Sequence, residues 1–388
     1  MNFRVVSALI CCGLALAQKK PVEEAWDLLA AGKREQAVRV LREITKVNAN
    51  DADARLLLGS VLAEDGNRAE SIPLLQDAVR LRPNSAEAHH ALGEALHSFG
   101  ERKASRAEFA TAVKLDPGFG QAQADLGSAL FDAGELAVAA EHLDRAIQIF
   151  GRSGDAAYPR YLRAKIYSER GENEKAAADL SQAVALRPDF AEAWSDLGQT
   201  CKLRMDDAGA LAAFQRAVML SPDDGVAQTR LGAEYLSQGK AHEAVPHLQE
   251  ATRLNPENQT ALYSLQSALR DDGRIAEAQE VKERLVELLR KRDRASENAL
   301  RAIQLNNQGA ALEKDGKLGE ALEKYQSALA LAPEHVGIRT NVAAALLRLG
   351  KWKEGIAELR ESLRREPDNP ALQTALKDAL SKTPAKRE

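Results

Sequence analysis

The side chains best placed to do chemistry are His90, Glu94 and His97. On a helix they stand at i, i+4 and i+7 and share one face. Two imidazoles and a carboxylate could hold zinc, with water in the fourth place. The spacing is not that of the tight His-x-x-x-His pair, so the three are read first as polar residues on a helix face, and no metal or cofactor is assigned to them. The other catalytic signatures are missing: there is no Gly-rich phosphate loop, no His-Glu-x-x-His, no Cys-x-x-Cys and no Gly-x-Ser-x-Gly. Carboxylates are many, but they recur at spacings that pair them with Lys or Arg on solvated helix faces, as Glu320 with Lys324. No enzyme is expected.

The elements that carry these residues are helices repeated in phase. Pro83, Pro117, Pro188, Pro222, Pro256, Pro333 and Pro367 are spaced by 34 residues, or by two such periods lengthened by 3 or by 9. In step with them run Leu58-Gly59, Leu92-Gly93, Leu126-Gly127, Leu197-Gly198 and Leu231-Gly232, each glycine 24 residues before a landmark. A second glycine series, Gly66, Gly100, Gly134, Gly171, Gly239, Gly273, Gly316 and Gly350, and an alanine series from Ala78 to Ala328 keep the same phase. The proline ends one unit and starts the next, and the second glycine suits the left-handed residue that ends a helix. The Leu-Gly glycine and the alanine let two helices approach closely. Between these marks apolar residues recur with helical spacing, as at Ile72, Leu75 and Val79. The unit is a 34-residue helical hairpin, and the fold class all-α.

The motif Ala193-Trp194, Leu197-Gly198, Ala210, Phe214, Ala217, Pro222, echoed by Leu231-Gly232, Tyr235, Gly239, Ala244, Leu248, Ala251, Pro256, resembles the tetratricopeptide repeat (TPR). The resemblance implies a TPR α-solenoid, a right-handed superhelix of antiparallel helix pairs. Ten units fit, with repeats one to eight over 18–301 ending in an elongated charged helix, repeats nine and ten over 302–369, and a capping helix and tail over 370–388. Arg163-Ala164 replaces Leu-Gly in repeat five, and Met205 replaces the interhelix glycine in repeat six. Pro73 and Pro246 are expected early in second helices, where a missing N–H costs little.

By the same resemblance, the fifth, ninth and twelfth residues of each unit line the concave groove. That stripe holds His90, Glu94, His97, Phe131, Tyr161, Lys165, Gln199, Lys202, Tyr263, Arg270 and Asn306, with Glu313 beyond. Aromatic groups there are candidate anchors for an extended peptide. TPR domains that grip acidic chaperone C-termini use a Lys four residues before an Asn on this stripe, and no repeat here has that pair. The expected function is a non-enzymatic scaffold for a protein or peptide partner, in an envelope-associated complex. The alternative is metal or small-ligand binding in the groove of repeat three.

Composition narrows the partners. With 53 Lys and Arg against 57 Asp and Glu, interspersed along the chain, there is no one-sided basic surface for nucleic acid. Met1–Arg4 and the apolar run Val5–Ala17 end in Ala15-Leu16-Ala17, the small-x-small pattern of a signal peptide over 1–17 cleaved after Ala17. The run of about 13 residues is shorter than the roughly 20 that span a membrane. The protein is therefore expected to be exported, periplasmic or secreted, with no membrane span in the mature chain. Cleavage leaves Cys201 alone, so an internal disulfide is impossible and packing must hold the fold.

Overall fold

The structure, a computed structural model, describes residues 21–382. The expected signal peptide lies outside the described residues. The chain divides into two compact units, Met1–Pro256 and Glu257–Glu388.

The first unit contains α1 (Pro21–Ala30), α2 (Arg34–Val47), α3 (Ala52–Glu64), α4 (Arg68–Leu81), α5 (Ala86–Ser98), α6 (Arg102–Leu115) and α7 (Gly120–Asp132). It continues through α8 (Leu136–Phe150), α9 (Ala157–Glu169), α10 (Asn173–Leu186), α11 (Ala191–Leu203), α12 (Asp207–Leu220), α13 (Gly225–Ser237) and α14 (Ala241–Leu254). Odd and even helices pair as hairpins, and each helix packs mainly on its two chain neighbours. First helices of successive hairpins also touch, α3 with α5, α7 with α9 and α11 with α13, while neighbouring second helices do not meet to that extent. The unit therefore curves with its first helices inside.

Five hairpins of this unit, those of α3, α5, α7, α11 and α13, are locked by one large side chain of the second helix lodged over a first-helix glycine. A Cβ on Gly59 would meet Leu75 at 2.7 Å, on Gly127 Leu143 at 2.8 Å, and on Gly93 and Gly198 the rings of Phe109 and Phe214 at 2.6 Å. At the turn, Gly66 has φ +74° and makes the paired closure in which Gly66 N–H donates to Ala63 and Asn67 N–H to Leu62. Met205 takes the same role with φ +59° and is 90% exposed. The three added residues of repeat five form a short 3-10 turn, Gly154–Ala156, ahead of α9. Where leucine would stand, Arg163 is held by Asp144 of α8 (2.6 Å) and Asp179 of α10 (2.6 Å).

Pro73 and Pro246 depart from expectation. They are the sixth residues of α4 and α14, beyond the first turn, so each removes one intrahelical hydrogen bond.

A second tie recurs that the repeat pattern did not reveal. The fourth residue of a first helix donates to the backbone carbonyl six residues earlier, in the turn. Arg55 reaches Ala49, His89 Pro83, Gln123 Pro117, Trp194 Pro188 and Gln228 Pro222. Gln123 and Gln228 also accept from Nδ1 of His142 and His247 on the second helices, both at 2.8 Å. Because each amide nitrogen is committed to the carbonyl, its oxygen faces the imidazole and Nδ1 must be protonated.

The second unit contains α15 (Gln259–Asp271), α16 (Ile275–Lys314), α17 (Leu318–Leu331), α18 (Val336–Arg348), α19 (Trp352–Arg365) and α20 (Pro370–Lys382). The boundary drawn between residues 301 and 302 lies inside α16, a single helix of 40 residues. From Arg274 to Gln308 the chain has neither glycine nor proline to interrupt it. Farther along, Gly309, preceded by Gln308, receives Tyr325 of α17 as the Leu-Gly glycines receive their partners, with a Cβ distance of 2.7 Å. Leu372 of α20 is buried and Leu376 is packed against α19, while Leu380 is half exposed. No strand occurs among the described residues, and no described helix is long and apolar enough to cross a membrane.

Candidate functional site

The inner face of the first unit is cross-linked by polar rungs between successive first helices. His90 of α5 meets Asp125 of α7, Nε2 to Oδ2 at 2.7 Å. The Tyr161 hydroxyl of α9 bonds to Asp196 of α11. Arg230 of α13 donates to the Ser195 hydroxyl at 2.7 Å and to Asp196 at 3.1 Å. In the second unit Asn341 of α18 donates to Asn306 of α16 at 2.8 Å. The partners are 35 residues apart, one more than the period, so the fifth residue of one unit meets the sixth of the next.

Asp125, Asp196, Arg230 and Asn341 were absent from the sequence-derived stripe for that reason. A 34-residue comb aligns equivalent positions, whereas these contacts join inequivalent ones. The signal that could have found them is complementary donors and acceptors at a spacing of 35.

His90 is 6% exposed, with its ring against Phe109 and Phe119 at centroid distances of 5.6 and 4.8 Å. Its Nδ1 lies 3.5 Å from Glu94 Oε2. Burial acts to lower the imidazole pKa, but the hydrogen bond to Asp125 and the charges of Glu94 and Asp125 outweigh it, and the value stands above the ordinary one. Burial pushes the Glu94 carboxyl up to about 7, against the pull of His90 and with help from the Asp125 and Glu64 charges.

His97 does not join them. It is exposed and lines a separate cleft of about 270 Å³ with Arg102 and Asp132. Seven residues along a helix carry a side chain about 10 Å up the axis, too far to share an ion with His90. The group within reach of one another is His90, Glu94 and Asp125, whose ligand atoms all lie within 4.8 Å.

Four of the other stripe residues gather over α7, α9 and α11. The Lys165 ammonium sits 5.7 Å from the Phe131 ring centre and 5.5 Å from that of Tyr161. Phe131 and Tyr161 are half-buried against the hairpin cores, and the Tyr161 ring packs at 4.8 Å against Phe190, tilted by 53°. Lys165 and Gln199 line a cavity of about 200 Å³ with Glu169, Asp196, Thr200 and Leu203. Lys202 points elsewhere, 3.1 Å from the fully buried Glu234 of α13. Tyr263, Arg270 and Asn306 belong to the second unit: Tyr263 is 53% exposed, Arg270 bonds Asp271 and Ser267 of its own helix, and Asn306 forms the rung above.

A family profile described as tetratricopeptide repeat matches residues 22–86, 62–118, 90–156 and 229–288, about half the chain. The chain belongs to the tetratricopeptide-repeat family. A second profile of that description matches 312–379, and a TPR-repeat profile matches 164–202. This TPR protein is similar to the solved PilF of Pseudomonas aeruginosa at 16% identity and a TM-score of 0.51, covering 55% of this chain and 97% of that one. It is also similar to YrrB, described as a TPR protein with an unusual peptide-binding site, at 19% identity and a TM-score of 0.42 over 49% and 96% of the two chains. MamA matches at 22% identity and a TM-score of 0.38 over 43% and 95%. Likeness at such identities speaks to fold alone. Among curated proteins no match is found.

Proposed function

We propose that this TPR protein is a non-enzymatic scaffold whose inner face over α7, α9 and α11 holds an extended segment of a partner protein. The observation that carries the reading is Lys165. It lies between two aromatic rings at the rim of the 200 Å³ cavity, and among the described residues no carboxylate pairs with it. An unpaired cation flanked by aromatic faces suits a peptide offering an acidic group beside an apolar one. The family supports protein interaction as the general role.

A peptide-display library panned against the purified chain tests this. Enriched peptides should carry an acidic residue near an apolar one. Binding should fall at least about tenfold in Lys165→Ala and in Phe131→Ala, and stay unchanged in Lys114→Ala on the outer helix α6. Failure to enrich any saturable peptide, or equal binding by the groove variants, defeats the reading.

We further propose that the chain is exported and works at the cell envelope, on the strength of the apolar run Val5–Ala17 and its Ala-x-Ala end. The mature protein from fractionated cells should begin at Gln18, and an intact Met1 in the cytoplasmic fraction would refute export.

A further inference from the structure

The His90 rung differs in composition from the others. Tyr161 with Asp196, Ser195 with Arg230, and Asn306 with Asn341 each match a donor to an acceptor. Around His90 there are two carboxylates for one imidazole. Glu94 lies on one ring nitrogen and Asp125 on the other. Among the described residues neither carboxylate is paired with Lys or Arg. Gln121 donates to both Asp125 oxygens at 3.1 and 3.2 Å and holds that carboxylate in place. With both carboxylates ionised, a protonated His90 would supply one positive charge against two negative ones, in a pocket walled by Phe109 and Phe119.

We propose that His90, Glu94 and Asp125 form a binding site for a first-row divalent cation of the zinc class, bridging α5 and α7 on the inner face. One imidazole nitrogen and two carboxylate oxygens are ligands that such ions accept, at about 2.0–2.2 Å. Ligands at that radius stand roughly 3–3.5 Å from one another. The 2.7 Å contact between His90 and Asp125 must open slightly, and Glu94 must swing inward. Glu94 is free to do so, because it is a third exposed and has no hydrogen bond beyond the His90 contact. Gln121 serves as the outer partner that orients the Asp125 ligand. Three protein ligands leave a coordination place for water, or for a carboxylate of whatever occupies the groove.

The test uses the full chain freed of metal by chelation, titrated with zinc chloride by calorimetry and with cobalt chloride by visible absorption. One saturable equivalent is expected for each ion. Glu94→Gln and Asp125→Asn should each weaken binding at least about tenfold, with helical circular dichroism unchanged. His97→Ala should bind as the unaltered chain does. A measurement on the unaltered chain guards against a misfolded variant: one equivalent of zinc should shift the ring nitrogen resonances of His90 and leave those of His97 in place. Absence of a saturable equivalent overturns the proposal, as does undiminished binding by both carboxylate variants. So does loss of binding in His97→Ala, or a zinc-induced shift confined to His97.

Discussion

The hairpins of the first unit and the helix α16 of the second are written in the same alphabet, and they differ in how helices end. In the first unit every first helix stops at a left-handed residue and every second helix at a short turn. In α16 a second helix runs on into the next first helix without a stop, and residues 290–301 are exposed throughout. The lock nevertheless reappears downstream, where Gly309 accepts Tyr325 and Ala302 is fully buried. Packing therefore keeps its period where the turn has been lost. The turn tie is missing at Leu305, where the turn is lost, and also at Leu262 of α15, which cannot donate although the turn before it is kept, whereas Arg339 in α18 again reaches Pro333.

The largest effect should come from emptying a lock. Phe214→Ala is expected to destabilise the α11–α12 hairpin by about 3–5 kcal/mol, and Gly198→Ala, which presses a methyl onto that ring, by about 1–3 kcal/mol. Because repeat arrays unfold in parts, the proper readout is amide exchange resolved along the chain. Uniform protection across α11 and α12 in Phe214→Ala would contradict the role given to the lock.

Ala295→Pro attacks the other side of the comparison. In the exposed middle of α16 it should cost about 3 kcal/mol of helix stability. Exchange should quicken around residues 288–301 and stay slow near Gly309. Melting that spreads to Tyr325 would show that the downstream lock depends on helix continuity.

Met205→Gly sharpens the account of the turns. The exposed Met205 loses no packing, and relief of the left-handed strain of about 1–2 kcal/mol, less the entropy glycine adds to the unfolded chain, leaves a gain of about 0.5–1 kcal/mol. A thermal midpoint no higher than that of the unaltered chain would mean that this turn carries no strain.

The smallest effect concerns the tied histidines. Burial lowers the pKa of His142 and of His247, with Arg145 adding to the first. Unfolding therefore takes up protons as pH falls through the ordinary histidine value of 6.5, and stability present above that value is lost below it. Both side chains are partly exposed, so a few tenths of a kcal/mol each is expected. The double variant His142→Asn, His247→Asn should lose stability less steeply between pH 7.5 and 5.5. An unchanged slope would place the acid sensitivity elsewhere.

The helices, the turn glycines and the Leu-Gly contacts were legible because each depends on residues within one 34-residue unit. Even Met205 could be found as the missing member of a series. The continuity of α16 was half visible: the absence of Gly and Pro pointed to an elongated helix, but the fixed period ended it at 301, whereas it runs on to Lys314. The candidate site was read less well. His90 and Glu94 were visible as neighbours on one helix, yet the twelfth position placed His97 beside them when helical rise carries it away. Asp125 stood on another helix, out of phase with the repeat, and nothing local announces such a partner. Lys165 was found by its register, but its lack of a counter-charge is a three-dimensional fact.

The rungs also bear on how such an array can be edited. A fifth residue and the sixth residue that answers it lie in different units, so each unit is matched to the one that follows. Excising residues 191–224 would remove the α11–α12 hairpin, leave every other hairpin intact and keep the period, but it would set Tyr161 opposite Arg230 in place of Asp196. The array thus carries a reading order: its units resemble one another, yet they do not commute.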